Sequence, residues 1–258
     1  MILKFLTISL LCPFFLFAET AEEKGLAIAK EAKKRIMGFK DYRNKSVMTL
    51  KDKNGNVSKR FMRSKNLEVA NDGDKILIIF DQPRDVKGTA LLTFTHRTED
   101  DDQWLYLPAL KRVKRISSSN KSGPFMGSEF AYEDITSEEV EKYTYKYIRD
   151  EKYNDMDCFV FERYPVDKRS GYSKQIVWMD KKNYNPQKTQ YFDRKGQLLK
   201  VLNLKGYKLY IEKFWQPSTL HMVNKVNGKE SLLEFSDYKF KTGLSERDFD
   251  KNALKRAR

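Results

Sequence analysis

Apolar residues recur at helical intervals near the start of the chain and at alternate positions along most of the rest. Between Thr20 and Phe39, the residues Leu26, Ile28, Ala29, Ala32, Ile36 and Met37 fall three or four positions apart among charges. That spacing predicts an amphipathic helix stopped near Gly38. From there the period changes to two. Strand-like runs are expected at 41–53, 57–70, 74–81, 88–97, 102–108 and 111–117, separated by turn sequences such as Asn54-Gly55 and Asn71-Asp72-Gly73. A second series occupies 143–150, 156–165, 173–180, 187–193, 197–205, 207–214, 219–227 and 229–240, with turns at Asp193–Gly196 and Asn227-Gly228. The connections are too short for crossover helices, so the sheet is expected to be antiparallel.

Residues 118–142 break the alternation with Ser, Gly and Pro and then offer a short helical stretch from Ser128 onward. This is the longest interruption of the sheet, and long interruptions often carry function. A sheet of this many strands must curl or close. The runs ILIIF (76–80) and ALLTF (90–94) are apolar on both faces, so that region is covered on both sides, one face packing a helix or wall and the other lining an interior. No low-complexity linker or repeat divides the chain, and residues 19–258 are expected to form one domain, with the tail SERDFDKNALKRAR closing it.

Composition adds the setting. Residues 1–18 run from one lysine through an uncharged apolar stretch to Ala18, the order of a secretory signal peptide. The apolar stretch is short for a bilayer span, and Cys12 follows Leu11, where a lipoprotein cleavage site needs a small residue. Beyond this leader Cys158 is the single cysteine, so the domain relies on its core rather than on a disulfide. The formal net charge of +14 favours anionic surfaces. In an exported protein these are phospholipid headgroups and acidic glycolipids, and no nucleic acid partner is expected.

Candidate chemistry is sparse. His96 reads as a solvated hairpin residue and His221 as a satisfied sheet histidine, and no G-x-S-x-G elbow, Gly-rich phosphate loop or zinc-protease motif is present. The acidic run Glu99–Asp102 reads as a solvated turn, and Glu133-Asp134 and Glu138-Glu139 as helix-start and surface charge. No catalytic residue, metal site or cofactor is expected. The basic strand KRVKRI follows Trp104 and Tyr106, a composition shared with single-strand nucleic-acid binders. Export argues against that reading. Arg112, Lys114 and Arg115 then either meet an anionic headgroup or membrane, or line a solvated edge strand.

Several segments together resemble the LolA-type outer-membrane lipoprotein-sorting proteins, in their longer branch. The likeness is carried by the helix before Asp41-Tyr42, by the strand with Met48, and by Asp74–Phe80 followed by Pro83 and Val86–Leu92. It continues through Trp104–Pro108 with Lys114–Ile116, and Pro124–Gly127 leading to Phe130 and Glu133-Asp134. The resemblance implies a mainly β fold of α+β type: a strongly curved antiparallel half-barrel of about 11 strands, closed by an N-terminal helix and a short helical lid. It implies a periplasmic carrier that shields acyl chains of a lipoprotein or lipid between inner and outer membrane, supplied by an inner-membrane exporter or transporter complex. Such cargo exposes roughly 25 cal/mol per Å² of apolar surface to water, which side chains must replace.

On this reading Phe61, Ile78, Phe80, Leu92, Phe94, Trp104 and Tyr106 are the expected cavity residues, with Phe125, Met126 and Phe130 at a flexible mouth. The founding carriers place an arginine in an early strand that holds the lid closed; Arg60 and Arg63 both stand near that place. Two alternatives share the fold: an RseB-like sensor of lipids or mislocalised lipoproteins, and a carrier of glycolipid or sterol-like cargo.

Overall fold

The computed structural model describes residues 19–255; the expected signal peptide, 1–18, lies outside them. Helix α1 (Ala21–Ile36) begins at a capping box, in which Thr20 Oγ1 accepts from the Glu23 amide and Glu23 Oε2 accepts from the Thr20 amide. Thirteen strands form one antiparallel sheet, not the 11 expected. In chain order they are β1 (Asp41–Lys51), β2 (Val57–Leu67), β3 (Lys75–Gln82), β4 (Ala90–Phe94), β5 (Asp102–Leu107), β6 (Arg112–Ile116), β7 (Tyr143–Tyr153), β8 (Met156–Pro165), β9 (Tyr172–Asp180), β10 (Pro186–Asp193) and β11 (Leu198–Lys205). Then come β12 (Lys208–Tyr210), β13 (Phe214–Gln216), β14 (Thr219–Asn224), β15 (Glu230–Phe240) and a short helix α2 (Lys251–Lys255).

Across the sheet the order is β6-β5-β4-β3-β2-β1-β15-β14-β11-β10-β9-β8-β7. Strands β12 and β13 stand apart as a two-stranded hairpin, so the run 207–214 leaves the sheet instead of extending it. Turn glycines sit where expected: Gly55 and Gly228 adopt φ of 89° and 72°, a region that glycine enters without the Cβ penalty.

The free edges, β6 and β7, are consecutive in the chain, and residues 117–142 join them. Laid flat, thirteen strands spaced about 4.8 Å apart would span close to 60 Å. Instead the ends meet: Arg169, in the β8–β9 loop, pairs with Asp100, in the β4–β5 loop, and Lys142 pairs with Asp101. The acidic run Glu99–Asp102, expected as a solvated tip, thus staples the two ends of a strongly curled, open sheet.

The alternation sorts the faces. Met48, Met62, Phe80, Leu91, Leu105 and Ile116 from β1–β6 share one apolar cluster with Tyr191, Leu202, Met222 and Leu233 from β10, β11, β14 and β15. Phe125 and Phe130 of the joining segment lie in the same cluster, which is therefore the concave face. The opposite face of β3–β5, with Leu77, Ile79, Ala90, Leu92 and Trp104, is covered by Leu244, Phe249, Ala253 and Leu254 of the C-terminal segment. Both faces of ILIIF and ALLTF are buried for this reason.

Helix α1 lies on the concave side of the other half, with Ile28 and Ala29 against Tyr145, Phe161, Val177 and Met179. Gly25 permits the approach. A Cβ at that position would stand 2.9 Å from the Tyr147 backbone nitrogen. Gly25→Ala is therefore expected to lower the thermal unfolding midpoint, although alanine favours a helix over glycine by about 1 kcal/mol. An unchanged or higher midpoint in a thermal melt would show that α1 does not dock so closely.

Candidate functional site

The joining segment does not form a loose mouth. It runs through the concavity as a chain of short 3₁₀ turns, and Phe125 and Phe130 are almost wholly buried, with Phe125 ring-to-ring against Phe80 at 5.8 Å. A polar backbone can enter an apolar hollow only if its groups find partners. Lys200 of β11 supplies the central one: its Nζ donates to Asp134 at 2.6 Å and to the Glu129 carbonyl at 2.9 Å, and both side chains of the pair are 5% exposed. Asp134 also accepts from the Tyr172 hydroxyl and the Ala131 amide.

Around this pair Glu133 accepts from Ser170 Oγ and the Gly171 amide, Gln103 donates to the Tyr132 carbonyl, and Asn224 donates to Glu129. Burial pushes the Glu133 carboxyl above its ordinary pKa. Arg60 points inward and donates to the Met126 carbonyl, whereas Arg63 faces outward and pairs with Asp81.

What the segment leaves unfilled is a hollow of two adjoining lobes. The larger, about 370 Å³, lies between α1, residues 136–140 and the concave side of β7–β11, with Ala32, Ile36, Phe161, Val177, Met179 and Leu202 among its walls. The smaller, about 270 Å³, is bounded by Met48, Met62, Ile78, Phe125, Phe130, Leu220 and Leu233. Tyr42, Asn66, Ile76, Thr136, Gln216 and Pro217 belong to both. Both lobes fall at or near the lower end of the size range for small-molecule sites.

Polar groups gather at the α1 end of the larger lobe. Buried Arg163 pairs with Glu138 at 2.7 Å and receives Gln175, which accepts from its Nε at 2.7 Å. Lys33 pairs at 2.9 Å with Glu139, whose side chain is 1% exposed. Asp74 accepts from Ser137 Oγ at 2.9 Å. Burial raises the pKa of both Asp74 and Glu139 despite Lys33 nearby. Their folded forms favour the proton more than the unfolded chain does, so the stability they contribute is present in acid and declines as pH rises through the raised values.

Of the residues expected to line a cavity, Ile78, Phe125 and Phe130 border the smaller lobe and Phe80 packs directly behind Phe125. Leu92, Phe94, Trp104 and Tyr106 do not: they point to the convex face, against the C-terminal segment. Phe61 also faces outward and is 43% exposed. In two-sided apolar strands, alternation alone does not say which side is inside. Arg112 and Lys114 take the inward parity at the open edge β6, and Arg115 turns outward to Asp102; all three are exposed.

The side chains of Asp134 and Glu139, read as helix-start and surface charge, are buried in ion pairs. Lys200 was missed, and its signal was a lysine inside the otherwise apolar alternation of LLKVLNL. His221 bonds Glu230 at 2.8 Å, as expected of a satisfied sheet histidine, whereas His96, expected to be solvated, is partly buried and bonds Asp72 at 2.8 Å. No group of three metal-ligating side chains converges among the described residues.

A crystal structure of a domain assigned to outer-membrane lipoprotein sorting, from Vibrio parahaemolyticus, superposes with a TM-score of 0.89 at 57% identity, covering 91% of this chain and 99% of that one. The chain belongs to the same family as this outer-membrane lipoprotein-sorting domain. A family model described only as that of an uncharacterized protein matches residues 72–256 of this family member. A DUF1329 family protein from Desulfovibrio piger gives a TM-score of 0.87 at 29% identity, over 91% of this chain and 99% of that one. A LolA superfamily protein from Nitrosomonas europaea, at 21% identity and a TM-score of 0.71 over 92% and 100% of the two chains, shares the fold. Among curated proteins none matches.

The buried ion pair yields a direct expectation. Lys200→Met leaves Asp134 without its cation inside the protein, and losing one partner of such a pair costs roughly 3–5 kcal/mol. Urea unfolding of the variant checks this; a loss below about 1 kcal/mol would mean that the pair does not anchor the segment.

Proposed function

We propose that the protein carries acyl chains of a lipoprotein or lipid across the periplasm between inner and outer membrane, holding them in the hollow on the concave face. The observation that carries this reading is the hollow itself. Two adjoining lobes of about 370 and 270 Å³ are walled by aliphatic and aromatic side chains from both halves of the sheet. Protein interiors hold few voids larger than a water molecule. An apolar tail entering these lobes exchanges water for side chains at roughly 25 cal/mol per Å².

The family relationship supports the same reading, since the relative from Vibrio parahaemolyticus is assigned to outer-membrane lipoprotein sorting. The interior offers a place for a polar headgroup at the Lys33, Arg163 and Glu138 end of the larger lobe. Ile78, Phe80, Phe125, Met126 and Phe130 are proposed to meet the chain or to move with the segment that covers it. Arg60, bonded to the Met126 carbonyl, is the proposed holder of that segment in the arrangement seen. Arg112, Lys114 and Arg115 remain proposed headgroup contacts at the open edge. No enzymatic step is proposed, and an inner-membrane exporter is the proposed donor of cargo.

Filling the hollow tests the reading. The parent protein is expected to bind a fluorescent fatty acid, and Leu202→Trp in the larger lobe or Leu233→Trp in the smaller to weaken binding about tenfold, close to 1.4 kcal/mol. Titration by fluorescence separates the outcomes. A parent that binds no fatty acid, or Trp variants that bind as the parent does, would remove the hollow as the cargo site.

A further inference from the structure

The β12–β13 hairpin has no place in the sheet, and its construction is unusual. Its turn residues Ile211 and Glu212 both have positive φ, 40° and 59°. Hairpin turns of this kind normally use Asn or Gly, and a β-branched residue there is a genuine outlier. The inner side of the hairpin is fixed by aromatic packing: Tyr210 lies 5.1 Å from Tyr238 and Phe214 5.6 Å from Phe240, ring centre to ring centre. Lys213 ties it to the end of α1 by donating to the Met37 carbonyl at 2.7 Å.

The outer side is apolar and uncovered. Leu209 and Ile211 are each 47% exposed, and across the Lys213 contact Ile36 and Met37 are 43% and 51% exposed. Exposed single hydrophobic residues are ordinary, but four on two adjoining elements are not scattered. Ile36 and Trp215 are also walls of the larger lobe, so the hollow reaches the surface at this edge. Exposed Lys34, Arg35, Lys40, Lys205, Lys208 and Lys213 flank the apolar residues along the chain. Of the nearby acids, Glu31 is engaged with Arg35 and Glu68 with the amides of Gly38 and Lys40, while exposed Glu212 stands at the hairpin tip beside Lys213 and leaves the cations in excess.

Apolar side chains flanked by cations fit the interface of an anionic bilayer, where insertion of the apolar groups and attraction of the cations act together. We infer that the β12–β13 hairpin tip and the C-terminal end of α1 form the edge by which the protein docks on an anionic phospholipid membrane, with the hollow opening toward it. The second half of this statement rests on the carrier reading; the docking does not.

Sedimentation with lipid vesicles tests it. The full chain is expected to sediment with vesicles of phosphatidylglycerol and phosphatidylcholine in equal parts, to be released by high salt, and to ignore vesicles of phosphatidylcholine alone. Leu209→Ser with Ile211→Ser, and separately Lys205→Glu with Lys208→Glu, are expected to lower vesicle affinity about tenfold or more. Both variants should keep the parent's thermal midpoint and its fluorescent fatty-acid binding in vesicle-free solution.

Variants that sediment as the parent does would overturn the assignment. So would a parent that ignores the anionic vesicles, in which case the edge faces a protein. Docking by a parent that binds no fatty acid would uphold the membrane edge and defeat the carrier reading alone.

Discussion

Because the two edge strands of the sheet are consecutive in sequence, the segment that links β6 to β7 has to cross from one edge to the other. It crosses on the concave side, and the rest of the architecture follows from how a polar stretch is accommodated there. Phe125 and Phe130 fill part of the apolar hollow, and the buried Lys200–Asp134 pair holds the backbone between them. A buried ion pair contributes less to net stability than to uniqueness, because its desolvation offsets much of its attraction. Here it fixes one path for a segment that would otherwise have many. Glu133 with Ser170 and Gly171, Gln103 with Tyr132, and Arg60 with Met126 fix the same path at other points.

That path fills only part of the concavity, and α1 is held off the remainder. It comes close to the sheet at Gly25, over β7, while its C-terminal turn stands across the larger lobe with Ile36 in the wall. The space is apolar along the strands and polar at the α1 end, so it suits a molecule with an apolar tail and a polar head. On the proposed reading, the uncovered hairpin beside that end gives the same space its direction of exchange, toward a surface that is itself apolar under a charged layer.

Much of the fold was legible in the alternation. The helix after Thr20, the antiparallel pairing and most strand positions agree with the structure, because antiparallel strands with one apolar face leave a period of two that little else produces. The strand count and the sides of the strands were less legible. In ALLTF both faces are apolar, and only the C-terminal residues Leu244, Phe249 and Leu254, 140 or more positions away, determine that Leu92 and Trp104 face outward. Lys200 and Asp134 looked like any other charges of a lysine-rich chain, since their burial depends on a contact between positions 66 apart. The run 207–214 alternates like a strand but folds back on itself at Ile211-Glu212, a turn that carries none of the usual glycine or asparagine signal.

The central claim is that the hollow on the concave face holds an amphiphile. Native mass spectrometry of the protein purified from the organism that encodes it tests this most directly. The account predicts a population heavier than the polypeptide by the mass of one amphiphile with an acyl tail, lost on extraction with organic solvent. A folded protein that carries only the polypeptide mass, and takes up no such molecule when lipid extract from the same cells is added, would contradict it.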